Sequence, residues 1–397
     1  MIHTVCPNCE GSNTEAFFEI KQAPIFSVVT VKSEQEALRV PRKDIELAFC
    51  NHCGFIYNRR FDTDIDYFTS GYEDQQGFSK TFMNFATELC NELIAKYQLK
   101  GKTVLEIGCG KGDFINLLTN LSGGCGIGID PAYEEGRQNN PNLRFHKEFY
   151  TQKHSHITAA MIACRHTWEH IHASLDFLRL IRKSLDNSPD TVVFFEVPQV
   201  TRILEIQAFW DIYYEHCSYF SAASAAHAFR KAGFEILDLR YVYGEQYLLI
   251  EAKPASKNSG KNSGNNSGKI FAIEEDLDEQ KQRIDSFKRE IKQLLGEWRQ
   301  RLTALKSANK KVVVWGGGSK SVGFLTNFSD LNVIEHVVDI NPNMTGHFIP
   351  GIGKQYRAPQ FLKDYQPDAV IIMNGVYREE ITQSLHAMGV FPEIYAL

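Results

Sequence analysis

The sequence predicts an α/β fold in which two doubly wound parallel sheets follow a small N-terminal domain, and three observations predict it. Between about residues 100 and 250 short apolar runs alternate with amphipathic stretches, the pattern of a parallel sheet with helices on both faces. Beyond about residue 310 the same order of strand, glycine turn, helix and strand recurs on a smaller scale, so both units are expected to be Rossmann-like. Outside both, two C-x-x-C pairs bracket the first fifty or so residues.

A chain of 397 residues is too long for one ordinary domain. Hydrophobic residues make up 43% and charged residues 23%, an ordinary globular balance. With 43 basic and 48 acidic side chains the net charge is −5, which argues against a nucleic-acid or membrane-surface partner. No apolar run approaches bilayer-spanning length and the first thirty residues hold no signal-peptide core, so a cytoplasmic protein is expected. In a reducing compartment the nine cysteines serve as ligands or core residues rather than disulfides.

Residues 1–66 are read as the small domain. Cys6 and Cys9 stand in CPNC, Cys50 and Cys53 in CNHC. Four thiolates from two tight turns complete a closed tetrahedron, so structural zinc is expected; a redox dithiol would need only one pair. β-like runs lie between them at residues 26–31 and 45–49.

Residues 67–253 form the second unit. A helix is expected over residues 81–97, followed by strands at 103–107, 126–129, 159–164 and 191–196, helices at 114–118, 175–185 and 222–232, and a closing strand at 247–252. Residues 254–269, PASKNSGKNSGNNSGK, have nothing to bury and are read as a flexible linker. Residues 270–397 open with a long helix whose apolar stripe runs from Ile273 to Leu305 and is expected to pack on the domain that follows it.

The densest motif is Glu106-Ile107-Gly108-Cys109-Gly110-Lys111-Gly112, which ends an apolar strand and opens a helix. Its glycines let backbone approach a ligand at a helix N-terminus. The spacing E-x-G-x-G-x-G is similar to the first motif of class I S-adenosylmethionine-dependent methyltransferases, rather than to the G-x-G-x-x-G of dinucleotide folds. Asp130, ahead of Pro131 at the end of the next strand, stands where an acid accepts ribose hydroxyls. NAD binding is the competing reading, and a helix cap is the alternative for Asp130 taken alone.

Two clusters share the carboxyl edge of this sheet. One is His166-Thr167-Trp168-Glu169-His170; the other runs from Asp211 through Tyr213, Tyr214, Glu215 and His216 to Phe220. His166 and His170 have the spacing of a metal pair on a helix, but no third ligand is evident. The tyrosines read equally as core, whereas a Glu-His pair at a cleft edge reads as function. Together with the cysteine head, the segment Ile212 to Ser221 (I-Y-x-E-H-x-x-Y-F-S) and the trailing G-x-x-x-K, D-x-N-P and P-D-x-V motifs give a chain that resembles the three-domain sugar C-methyltransferases of deoxysugar biosynthesis, almost end to end.

That resemblance implies S-adenosylmethionine in the middle domain at Glu106, the three glycines, Asp130, Pro131 and His166, with zinc purely structural. It implies a nucleotide-linked keto-sugar held partly by the C-terminal domain, His216 as base with Tyr213 and Glu215 beside it, and His170 and Tyr72 completing the pocket. Glu215 would orient or charge-tune His216. Lys320 after Gly316-Gly317-Gly318-Ser319 would pair with an anion, or else is a solvated lysine; Asp339 and Asn341 cap the next turn and would touch the same ligand. The expected partner is a small molecule, and the chain a monomer or homodimer. Oxygen or nitrogen methylation on the same scaffold, and an NAD(P)-dependent oxidoreductase using the C-terminal glycine turn, are the other readings. The chain departs from the family pattern at Phe209-Trp210-Asp211, at Gly244-Glu245-Gln246-Tyr247, at Pro350-Gly351-Ile352-Gly353 and at Met373-Asn374-Gly375-Val376.

Overall fold

The computed structural model describes residues 2–65, 71–256 and 269–397. The expected boundary at 66/67 and all but the ends of the expected linker (257–268) lie outside these residues.

Strand β1 (Thr14–Pro24), helix α1 (Glu34–Leu38) and strands β2 (Arg42–Cys50) and β3 (Ile56–Asn58) build an antiparallel N-terminal sheet. Residues 26–31, expected to be β-like, form bends with isolated bridges from Val29 to Tyr72 and Val31 to Phe348. Their polar groups are drawn to other units, as Ser27 shows below, so no ladder forms.

The middle unit contains α2 (Lys80–Tyr97), β4 (Thr103–Ile107), α3 (Asp113–Ser122), β5 (Cys125–Ile129), β6 (Leu143–His146), β7 (Met161–Arg165), α4 (Ser174–Ser184), β8 (Val192–Pro198), α5 (Val200–Glu205), β9 (Ser218–Tyr219), α6 (Ala222–Lys231), β10 (Phe234–Val242) and β11 (Tyr247–Pro254). Its seven strands order as β10-β11-β8-β7-β4-β5-β6. The five from β6 to β8 are parallel, while β11 runs antiparallel to β8 and β10. Strand order reverses beside β4, and a crevice for ligands opens at such a switch point. β6 and β10 carry no clean apolar pattern: β10 exposes Glu235 and carries Asp238 and Arg240 beside a register shift.

Strand β9 belongs elsewhere. It pairs with β3, Ile56 opposite Tyr219 and Tyr57 opposite Ser218, and so completes the N-terminal sheet with residues from the middle of the chain. Asn58 donates its amide to the Cys217 carbonyl at 2.9 Å, next to His216.

The C-terminal unit holds α7 (Leu277–Ser307), β12 (Val312–Trp315), α8 (Ser319–Phe328), β13 (Ile334–Val338), β14 (Tyr356–Arg357), α9 (Leu362–Tyr365), β15 (Ala369–Ile372), α10 (Arg378–Ala387) and β16 (Glu393–Ala396). Its strands form one parallel sheet in the order β14-β13-β12-β15-β16. Helix α7 starts at an Asp276/Glu279 capping box and buries one stripe. Phe287 on that stripe meets Phe18 of the N-terminal sheet edge-on at 5.1 Å, and Trp298 meets Phe324 of α8 at 5.2 Å. The helix therefore clamps the N-terminal sheet to the C-terminal unit instead of serving the latter alone. Gly323 lets α8 approach residue 210 so closely that a Cβ would lie 2.5 Å from the Trp210 carbonyl oxygen. On the far side Glu380 accepts from Ser79 Oγ (2.8 Å) and Thr81 N (3.0 Å), capping α2 from the other unit.

Candidate active site

A cleft of 1180 Å³ lies at the carboxyl ends of β4, β5 and β7 and is faced by the glycine turn of the C-terminal unit. The turn after β4 reverses through left-handed backbone at Gly108 (φ 70°), Gly110 (53°) and Gly112 (84°), a conformation that favours glycine. A Cβ at Gly108 would run into the Thr167 side chain, and one at Gly112 would lie 2.6 Å from the Phe145 ring. Asp130 receives the Gly110 amide on one carboxylate oxygen (2.8 Å) and the Ala132 amide on the other (2.6 Å). Each oxygen keeps a lone pair for a further donor from the cleft, which both Asp130 and Pro131 line. Glu106 is buried below the turn, accepts the Ile115 amide at 3.1 Å, and has its pKa pushed up to about 8 by burial.

Across the cleft, Tyr213 Oη and His216 Nε2 lie 2.9 Å apart. Burial, with the neighbouring His170, His166 and Lys320 adding to it, holds the His216 pKa well below the usual imidazole range, so the ring is neutral at neutral pH. His170 packs edge-on to it at 4.8 Å and sets its Nδ1 3.1 Å from the Glu215 carbonyl. Tyr72 is half-buried and lines the same cleft.

The Glu215 carboxylate does not meet His216, contrary to the expected orienting role. It accepts the Ser27 amide and the Ser27 hydroxyl, both at 2.7 Å, from the bent segment of the N-terminal unit. Ser27 Oγ in turn stands 2.9 Å from Ser319 Oγ, so a short polar chain joins the three units directly behind His216. Lys320 does not stand free: half-buried at the cleft, its ammonium pairs with Asp211. Burial lowers the Lys320 pKa, against the pull of that carboxylate. Asp339 caps its turn by accepting from Gly317 N (2.5 Å) and Asn341 N (2.7 Å), while the Asn341 side chain reaches Glu73 at 3.0 Å. Tyr356 fills the space over Gly317, whose Cβ would lie 2.5 Å from the ring, while Gly316 and Gly318 line the cleft. Two of the departures from the family pattern meet each other: the Gln246 and Asn374 amides exchange hydrogen bonds at 2.9 Å in both directions.

The four cysteines converge. Cys6 and Cys53 sulfurs are 3.7 Å apart and Cys9 and Cys50 3.5 Å, all four buried and within 4.8 Å of one another. A tetrahedral ion with Zn–S bonds of about 2.3 Å sets its sulfurs about 3.8 Å apart, so the array fits. Asn8 ties this knot to α6 by donating to the Ser224 carbonyl at 3.0 Å.

Sequence reasoning passed over three groups. Arg165 forks onto Glu196 with two bonds of 2.9 Å, and His166 Nε2 meets the same carboxylate at 2.8 Å. Burial opposes both charges here, yet Glu169 and Glu196 raise His166 to about 9, while Arg165 and His166 hold Glu196 at about 2. Glu169 itself is 1% exposed and lines the cleft, and neither of its oxygens accepts a hydrogen bond from the described residues. It stands between the two histidines singled out in the sequence, adjacent to the second, so its signal was present.

The family model for a methyltransferase domain matches residues 81–239, and that for a C-methyltransferase C-terminal domain matches residues 249–390. The C-methyltransferase NovU of Streptomyces niveus is 27% identical over 183 residues, which cover 44% of this chain and 42% of that one. The match thus spans less than half of that relative's length. Among solved structures, magnesium protoporphyrin IX methyltransferase (ChlM) of Synechocystis PCC 6803 is 14% identical with a TM-score of 0.35, covering 46% of this chain and 91% of that one. The N,N-8-amino-8-demethyl-D-riboflavin dimethyltransferase (RosA) of Streptomyces davawensis is 13% identical with a TM-score of 0.35, covering 44% and 56%.

Proposed function

The chain belongs to the C-methyltransferase family of S-adenosylmethionine-dependent methyltransferases, and on that premise we propose that it methylates a carbon next to a ketone in a small carbonyl compound, with a nucleotide-linked keto-sugar as the favoured acceptor class. The observation that carries this reading is the neutral His216 imidazole, paired with Tyr213, on the same cleft as the glycine turn and Asp130.

S-adenosylmethionine, when bound, supplies an electrophilic methyl group. The backbone of Gly108, Gly110 and Gly112 would hold its amino-acid portion, and the open lone pairs of Asp130 its ribose hydroxyls. Asp74 and Glu106 line the cleft beside the turn. His166 borders this half of the cleft.

An α-carbon beside a ketone holds its proton too tightly to lose it to water at neutral pH. A neutral imidazole can accept that proton when the enolate oxygen is stabilised in the same step. His216 takes the proton, and the Tyr213 and Tyr72 hydroxyls are the donors available to the oxygen, with His170 beside them. Glu215, locked to Ser27, fixes the segment that carries His216 and does not share its proton. The four cysteines would hold zinc as a structural ion, with all four positions taken by sulfur. We place the domain limits near residues 66 and 254.

Incubation with S-adenosylmethionine and a panel of keto-sugar nucleotides in deuterated water tests the reading. A new carbon-bound methyl by NMR is expected, with solvent deuterium entering that carbon in a His216-dependent manner. Methyl on oxygen or nitrogen would overturn it.

A further inference from the structure

We propose that Glu169, His170 and His216 form a second metal site, a divalent-cation site of two imidazoles and one carboxylate that opens into the cleft and takes an ion of the zinc class. One ligand atom from each lies within 4.8 Å of the others, and Glu169 Oε1 is 4.0 Å from His216 Nε2. Bonds of about 2.0–2.2 Å to a central ion bring such atoms to roughly 3.3 Å apart, a contraction that small side-chain rotations supply.

Three independent features point to a cation. Glu169 is 1% exposed, and among the described residues neither of its oxygens has a hydrogen-bond donor. Among the described residues its nearest basic nitrogens are His166 Nδ1 at 3.5 Å, whose imidazolium faces it, and His216 Nε2 at 4.0 Å, so a buried carboxyl group lacks the donors that its two oxygens need. His170 supplies the second feature. A backbone carbonyl can only accept, so the 3.1 Å contact of Nδ1 with the Glu215 carbonyl places the ring proton on Nδ1 and leaves the Nε2 lone pair free. That is the tautomer and the outer hydrogen bond that metal-ligating histidines use.

The third is rigidity. Glu169 and His170 sit on the short turn Trp168–His170, which is pinned by Trp168 Nε1 donating to the Ser174 carbonyl at 3.1 Å. The Glu169 carbonyl also accepts the Cys217 amide at 3.0 Å, so this turn and the segment carrying His216 are tied to each other. Two nitrogens and one oxygen leave at least one coordination position for water or a substrate oxygen, unlike the closed cysteine cluster. The ion would replace the Tyr213 hydroxyl as the partner of His216 Nε2, consuming the lone pair assigned to the α-proton. That consequence alone rests on the proposed C-methylation: divalent cations would compete with the proton and inhibit.

The test uses the full chain carrying one zinc equivalent on its cysteines, titrated with Co²⁺ alone and followed by calorimetry and visible absorption. One further equivalent is expected, with weak bands of nitrogen and oxygen ligation and no sulfur charge transfer. Glu169→Gln and His170→Asn should each weaken it at least about tenfold, with the first zinc and the near-ultraviolet dichroism retained. No second equivalent would overturn the site. So would a second equivalent indifferent to both variants, or one lost in His154→Gln, since His146, Glu148 and His154 form the rival cluster. Binding is read without substrate, so failure here leaves the methylation reading intact, and a protein that binds the ion without methylating carbon leaves the site intact.

Discussion

His166→Asn isolates one electrostatic contribution cleanly. Residue 166 holds a left-handed backbone (φ 46°), which asparagine tolerates better than most side chains, so the change leaves the turn unstrained. It also leaves the Arg165–Glu196 fork in place. In the folded protein Glu169 and Glu196 raise the imidazole, against burial, to about 9, from about 6.5 in an unfolded chain. A raised histidine stabilises the fold fully below the unfolded value, and that stabilisation fades as pH climbs through the folded one. The shift corresponds to ~3 kcal/mol at 1.36 kcal/mol per unit. The side chain is 26% exposed, so solvent screening leaves about 2 kcal/mol. Urea unfolding of both proteins at pH 6 and pH 10 reads this as a double difference, which cancels the other groups that titrate in that range. Wild type should exceed the variant by about 2 kcal/mol more at pH 6 than at pH 10. A difference constant to within about 0.5 kcal/mol, or an NMR titration of this ring below pH 7, would refute the reasoning.

Gly108→Ala places a methyl group against Thr167 in backbone of φ 70° and should weaken S-adenosylmethionine binding at least about tenfold by calorimetry; unchanged affinity would remove the turn from the cofactor site. Ser27→Ala deprives Glu215 of a 2.7 Å hydroxyl bond inside the fold; a loss of about 1–3 kcal/mol in urea is expected, and none would mean that the carboxylate finds another donor. Trp298→Ala empties the contact of α7 with Phe324 and should cost about 3–5 kcal/mol, read as earlier melting by calorimetry.

Most of what local pattern dictates was legible. The strands at 103–107 and 126–129 and the glycine turn between them are written in consecutive residues, and they stand where expected. What escaped depends on distant partners. Glu215 next to His216 suggests a dyad, but its true partner Ser27 is 188 positions away and arrives through an irregular segment with no pattern to read. Lys320 after three glycines suggests an anion site, yet Asp211, 109 positions away, pairs with its ammonium. β6 and β10 went unread because charged residues interrupt their apolar alternation, and pairing with neighbours rather than propensity fixes them as strands. Glu169 was in plain view within HTWEH, but the i, i+4 rule drew attention to the two histidines on either side, and the third ligand atom comes from residue 216.

The two-residue strand β9 also constrains how the protein is made. On the ribosome the first three strands emerge early, but their fourth edge is supplied only when residues 218 and 219 leave the exit tunnel, about 160 residues later. Until then β3 presents an open rim, and a bound ion at the cysteine knot would be the device that keeps the waiting layer from pairing with a stranger. The same late stitch seats the proposed base, so His216 takes its place only when the oldest layer of the protein is sealed.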